Sequence, residues 1–208
     1  MRIDDDRRRI WFSASGFVPG EDPYYKQWFR VDFDGRNLTR LTKENATHEV
    51  RFAPDMTTYV DVYSRTDLPE TMELHDARDG RLIQTLEKGD ITALTAAGFR
   101  PPERFTAKGR DGKTDIYGLV VRPRDYDPAK RYPVIENIYA GPHDSFVPKT
   151  FWPFGAFSGG DKVMGMQQIA ELGFIVVMID GMGTANRSKA FHDVAWKNLA
   201  DSGFPDRI

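Results

Sequence analysis

The sequence predicts two unlike halves: partial β-propeller blades, all-β, over residues 1–98, and the opening of an α/β domain over residues 99–208. Three observations support this reading. Short strand-like runs separated by turn residues fill the first half, and Asp34-Gly35-Arg36 recurs 45 positions later as Asp79-Gly80-Arg81. Beyond residue 102 the pattern becomes strand, helix, strand, helix, the order of an α/β sheet. Between the two, residues 91–102, with Ala96-Ala97-Gly98 and Pro101-Pro102, read as a linker into a new domain.

In the first half, residues 10–14 and 27–33 read as strands. Asp34-Gly35 then predicts a type I′ hairpin, whose two central residues need positive φ, and residues 38–42 return from it. The same grammar recurs over 59–63, 71–75 and 82–86, with Asp79-Gly80 as the second turn. Phe52-Ala53-Pro54-Asp55 reads as the loop that enters a strand of a blade. A period of 45 residues fits one propeller blade. Two such units fall short of the roughly four to eight blades that close a propeller. A plain antiparallel sandwich is the alternative.

In the second half, residues 103–107 and 116–122 flank Asp111-Gly112 as a further hairpin, and residues 124–133 form a polar, proline-bounded loop. Residues 134–138 read as a buried strand that runs into Tyr139-Ala140-Gly141-Pro142, where Gly141 leaves room for a bend. A long aromatic connection over 146–157 follows. Val163, Met166, Ile169, Ala170 and Leu172 then fall at helical spacing after Gly159-Gly160-Asp161, with Gly173 as the stop. Residues 174–179 are apolar throughout, the pattern of a strand covered on both faces, and end at Asp180-Gly181-Met182-Gly183. Residues 188–199 predict a polar helix.

Composition narrows the function. The formal net charge is −2, and Arg7-Arg8-Arg9 directly follows Asp4-Asp5-Asp6 as a self-neutralising loop, so no nucleic-acid partner is implied. With no cysteine, disulfides, thiol nucleophiles and cysteine metal sites are excluded, while the redox compartment stays open. His48, His75, His143 and His192 show no metal-ligand spacing, and the sequence calls for no metal and no cofactor. No apolar run approaches the ~20 residues needed to span a bilayer. The opening Met1-Arg-Ile-Asp-Asp-Asp6 is not followed by the apolar stretch of a signal peptide, and the chain is expected to begin inside a longer protein. Compartment and oligomeric state are not determined.

Five stretches carry a family resemblance: Pro101-Pro-Glu103, the Asp111-Gly-Lys113 turn, Arg122-Pro-Arg-Asp-Tyr-Asp-Pro-Ala-Lys-Arg-Tyr-Pro-Val134, Tyr139-Ala-Gly-Pro142 and Asp180-Gly-Met-Gly183. Together they resemble the opening of the α/β-hydrolase domain in the prolyl oligopeptidase family, close to its dipeptidyl peptidase IV branch. Propeller blades upstream of this opening are the family's domain order. The resemblance implies a serine peptidase that hydrolyses short peptides by acyl transfer, proline-directed, without a cofactor. It leaves a homodimer of the full-length protein open.

The resemblance also gives Tyr139 a role. In dipeptidyl peptidase IV-like enzymes the tyrosine of this turn donates its hydroxyl to the oxyanion of the tetrahedral intermediate. A donor placed in advance at developing negative charge stabilises the transition state more than the substrate. On the residues alone, a tyrosine packing at a strand end is the simpler reading. Met182 stands where the family often carries arginine, which weakens any substrate contact there.

No serine here sits in a nucleophile elbow. Gly155-Ala-Phe-Ser158-Gly-Gly160 lacks the glycine two residues before the serine. His192 and Asp193 are adjacent on a predicted helix, so their side chains diverge. Asp180 precedes any serine in α/β-hydrolase order and reads as a loop anchor, and His143 as a surface loop residue. The expectation is a piece of a serine peptidase whose Ser-Asp-His triad lies beyond Ile208, inactive by itself and exposing unpartnered apolar faces. The competing reading is a non-catalytic propeller or scaffold protein that binds a peptide or protein partner. An esterase with the same core is disfavoured by the upstream blades.

Overall fold

The repeat in the sequence becomes two antiparallel meanders of four strands each. The computed structural model describes residues 1–151, 159–201 and 203–208, and its first unit spans residues 1–90. One sheet runs in the order β1 (Arg2–Asp4), β2 (Arg9–Ser15), β3 (Lys26–Asp32), β4 (Thr39–Arg40). The other runs β5 (Thr47–Phe52), β6 (Thr58–Arg65), β7 (Leu68–Asp76), β8 (Leu82–Lys88). Each Asp-Gly-Arg turn therefore joins the last two strands of its sheet. Phe52 to Asp55 lies at the β5–β6 hairpin, with Ala53 N–H donating to Thr58 O at 2.9 Å.

The turns are not type I′. Gly35 and Gly80 take φ of 81° and 74°, but neither Asp34 nor Asp79 is at positive φ. The aspartates fold back instead: Asp34 Oδ1 accepts the Arg36 N–H at 3.0 Å, and Asp79 Oδ1 the Arg81 N–H at 2.9 Å. Asp111 repeats this at the third such turn, accepting from Lys113 N at 2.9 Å and Thr114 N at 2.8 Å. The reason is loop length. Asp32 N–H reaches Arg36 O and Asp76 N–H reaches Arg81 O, each at 3.0 Å, across loops wider than the two residues of a type I′ turn. An aspartate cap followed by a left-handed glycine closes such loops.

The two sheets of the first unit meet through Trp11, Leu41, Tyr59 and Ala77, all buried. Burial forces polar atoms in this layer to find partners. Trp11 Nε1–H donates to Ala77 O at 3.4 Å, and the Tyr59 hydroxyl donates to Leu41 O at 2.8 Å. Burial pushes the Tyr59 pKa up, so its proton stays available for that bond. Gly80 is required twice over. Besides its positive φ, an added Cβ would stand 2.4 Å from Leu41 O.

The second unit spans residues 91–208. The expected linker is part of it: α1 (Thr92–Ala96) is a helical turn, and Ile91 and Leu94 pack on Phe99, Phe151 and Val163. Its strands are β9 (Glu103–Lys108), β10 (Asp115–Val121), β11 (Val134–Glu136) and β12 (Ile175–Ile179), in the order β11-β12-β10-β9. Among the described residues only β11 and β12 of this sheet are parallel. Helix α2 (Gly159–Ala170) sets Met166 and Ala170 against Val176 and Met178 on one face of β12. On the other face Phe191, from α3 (Lys189–His192), meets Ile179 and Ile116. The all-apolar run 174–179 is thus covered on both sides, as its composition predicts.

Two expectations fail here. The strand predicted over 134–138 is only three residues long and lies at the sheet edge, with Val134 63% exposed, because no strand pairs its outer side among the described residues. The polar helix predicted over 188–199 shrinks to α3 and two 3₁₀ turns, at Asp193–Ala195 and Leu199–Asp201. Ser188 caps α3, its Oγ accepting the Phe191 N–H at 3.2 Å, but Lys197 takes φ 55° and breaks the run.

Two outcomes follow from this packing. Gly80→Ala loses about 1–2 kcal/mol to backbone strain and about 1–3 more to overlap with Leu41 O. Gly35→Ala, with nothing within 4 Å of the added Cβ, loses only the first part. Urea unfolding of the two variants side by side measures the difference; equal losses mean that Leu41 moves aside. Asp76 supplies the second. Hydrogen bonds from the Arg78 side chain and backbone hold its carboxyl at about 2, below the ordinary 3.8. The folded value lies below the unfolded one, so this stabilisation is present above pH ~4 and lost as pH falls towards 2. Asp76→Asn is therefore less stable than the parent at neutral pH, and the gap closes through that window in acid unfolding. A gap that does not change with pH assigns Asp76 another role.

Candidate active site

The chain leaves the sheet between Glu136 and Tyr139. Asn137 N–H still donates to Val177 O at 2.8 Å, the last bond between the ends of β11 and β12. Tyr139 follows two residues later, at the carboxyl end of the parallel pair, where open α/β sheets place their ligands. Its ring stacks on Phe146, with centroids 5.3 Å apart and planes inclined by 29°. Its hydroxyl lies 3.6 Å from where a Cβ on residue 141 would stand, an ordinary contact. Gly141 does not take positive φ, so the bend it was expected to permit does not depend on glycine conformation.

Asp180, fully buried at the end of β12, anchors the loop after Tyr139. Its Oδ1 accepts the Phe146 N–H at 2.6 Å and its Oδ2 the Val147 N–H at 3.1 Å. The carboxylate thereby fixes the residue whose ring braces Tyr139. This is the loop-anchoring role the sequence suggests, not that of a triad acid. Asn186 Nδ2 adds bonds to Asp144 Oδ1 at 3.1 Å and Ser145 Oγ at 2.9 Å. His192 and Asp193 diverge as expected: His192 Nε2 meets Pro142 O at 3.0 Å, while Asp193 pairs with Lys189. His143 is exposed. Ser158, and the second half of the aromatic connection before it, lie outside the described residues.

Three residues here escaped the sequence reading: Asp206, Arg207 and Glu136. The Asp206 side chain is wholly buried and accepts from Arg110 N and Met182 N, both at 2.8 Å, and from the Arg110 guanidinium. It holds the Asp180–Gly183 turn from beneath, where Gly181 and Gly203 approach so closely that a Cβ on Gly181 would stand 2.7 Å from Gly203 Cα. Met182, placed where an arginine was expected, packs with Ile116, Ile179 and Phe191. Arg207 pairs with Glu136, and its Nη2 donates to Ile179 O at 3.3 Å and Tyr139 O at 3.4 Å. Burial pulls the Arg207 pKa down. The one local signal was Gly203-Phe204-Pro205, which starts a turn; nothing nearby names its partners. A cleft of about 680 Å³ opens beside Pro142, lined also by His192 and Trp196.

Residues 1–70 match the family model of the dipeptidyl peptidase IV N-terminal region, and residues 162–208 that of the prolyl oligopeptidase family. Over these two stretches the chain is similar to the prolyl oligopeptidase family, on its dipeptidyl peptidase IV-like side. The chain is 27% identical to dipeptidyl peptidase 8 of Homo sapiens, over 100% of its length but 23% of that protein. The Mus musculus protein of the same name is also 27% identical, over 99% of this chain and 22% of its own. A Bacteroides ovatus crystal structure described as a dipeptidyl aminopeptidase IV superposes with a TM-score of 0.75 at 26% identity, covering 97% of this chain and 27% of that one. Porphyromonas gingivalis dipeptidyl peptidase 4 shares the fold, with a TM-score of 0.71 at 22% identity over 93% and 25% of the two chains. The chain thus spans about a quarter of the length of these relatives. Its fold is that of propeller blades followed by the N-terminal part of an α/β-hydrolase domain. No helix among the described residues is long and apolar enough to cross a membrane.

Asp180→Asn tests the anchor. It leaves one of the two loop N–H groups facing an amide NH₂, and losing a buried charge-assisted bond costs about 2–3 kcal/mol. Thermal unfolding shows the loss, and limited proteolysis shows faster cleavage near residues 144–150. Unchanged cleavage there shows that the loop has other supports.

Proposed function

We propose that this chain is part of a serine peptidase that hydrolyses short, proline-containing peptides by acyl transfer, with Tyr139 donating its hydroxyl to the oxyanion of the tetrahedral intermediate. The observation that carries this is the placing of Tyr139. It sits at the carboxyl end of β11, its ring braced by Phe146 and its loop pinned by Asp180. A phenol held in advance at a sheet edge is a preorganised donor, and preorganisation is what makes such a bond stronger in the transition state than in the ground state. The name of the matched human and mouse relatives, dipeptidyl peptidase 8, supports a peptide substrate. No serine among these 208 residues sits in a nucleophile elbow. The chain alone is therefore expected neither to hydrolyse a proline-linked chromogenic peptide nor to react with a fluorophosphonate probe.

Tyr139→Phe in the full-length gene product is the decisive variant. Losing one oxyanion donor lowers kcat by about 10²–10³-fold with little change in KM. A wild-type kcat in steady-state assays returns Tyr139 to a packing role and removes the support for this reading.

A further inference from the structure

Past Asn137 the backbone of the Tyr139 turn leaves the sheet ladder, and what holds it is side chains. Among the described residues, the Tyr139 carbonyl is met by Arg207 Nη2 at 3.4 Å, and the Pro142 carbonyl by His192 Nε2 at 3.0 Å. Arg207 does more than meet one carbonyl. Its Nη2 also reaches Ile179 O, at the end of β12, at 3.3 Å, while its Nη1 pairs with Glu136, the last residue of β11. Its side chain is only 6% exposed.

We propose that Arg207, buried and paired with Glu136, is a positioning residue that fixes Tyr139 relative to the end of β12. The inference rests on the reading of Tyr139 as oxyanion donor. A guanidinium is a rigid planar fork, so donating from Nη2 to two carbonyls while ion-paired with a carboxylate sets the spacing of the groups it joins. Glu136 holds the fork in place and balances its charge in a site with little water. The geometry matters because a misplacement of ~1 Å in a catalytic group costs up to about 10²-fold in rate. Arg207 touches the backbone of Tyr139, so it acts through that residue and not on substrate.

The test is a double-mutant cycle in the full-length gene product, assayed with a proline-linked chromogenic dipeptide. The neutral pair Glu136→Gln with Arg207→Gln avoids leaving a lone buried charge. It is expected to lower kcat by about 10–10²-fold with KM within about twofold. Added to Tyr139→Phe it causes no further loss, because the strut has nothing left to position. Losses that multiply, a change in KM alone, or a wild-type kcat overturn the proposal. Should the neutral pair not fold, Arg207→Lys keeps the charge and loses the fork. A lowered kcat at an unchanged unfolding midpoint then supports the proposal, and a wild-type kcat overturns it. Tyr139→Phe alone separates the two claims: a wild-type kcat there, or no hydrolysis by the parent protein, overturns the oxyanion reading and with it this inference.

Discussion

The second unit depends on β12. A strand of five apolar residues, Ile175 to Ile179, has to hide both faces, and every neighbouring element is placed by that need. Met166 and Ala170 of α2 close one face, and Phe191 with Ile116 closes the other. Hiding an apolar side chain contributes on the order of 1.5–3 kcal/mol each, so this strand outweighs any single polar contact around it. The polar contacts decide something else. They fix where the chain goes once the strand ends.

At that end aspartates do the work. Asp180 and Asp206 are both buried, and an unpaired carboxylate there would be strongly disfavoured. Each is offset by backbone N–H donors: Phe146 and Val147 for Asp180, Arg110 and Met182 for Asp206. Because such bonds are directional, burying the charge specifies one loop conformation where an apolar residue would allow several. Tyr139 inherits its position from this arrangement. Its bracing residue, Phe146, is itself held by Asp180.

In the first unit similar chemistry appears at the turns. Asp34 and Asp79 cap their own turns, and Asp76 pairs with Arg78 one residue beyond the end of its strand pairing with β8. The tyrosine and tryptophan of the buried layer make their bonds to carbonyls of the facing sheet, so packing and register are set together.

Much of this was legible in the sequence because it is local. The 45-residue offset marked two blades, the spacing of Val163, Met166 and Ala170 marked α2, and the unbroken apolar run marked β12. These signals need only a strand's or a helix's own period. Asp-Gly marked the turns but not their type, because the dipeptide fits both a type I′ turn and an aspartate-capped one, and loop width decides between them. The polar stretch after Ser188 looked helical by composition, yet its path follows Phe191 into the core and Lys197 out of the helix. Of the candidate site, Tyr139 and the loop anchor Asp180 were legible. Asp206 meets Arg110 from 96 residues away, and Arg207 meets Tyr139 from 68. No local pattern encodes those distances. Local preference for strand, helix or turn was written in the sequence; only the folded sheet decided which carboxylate holds the Asp180–Gly183 turn and which guanidinium meets the Tyr139 carbonyl, because those groups find partners where burial leaves them no water.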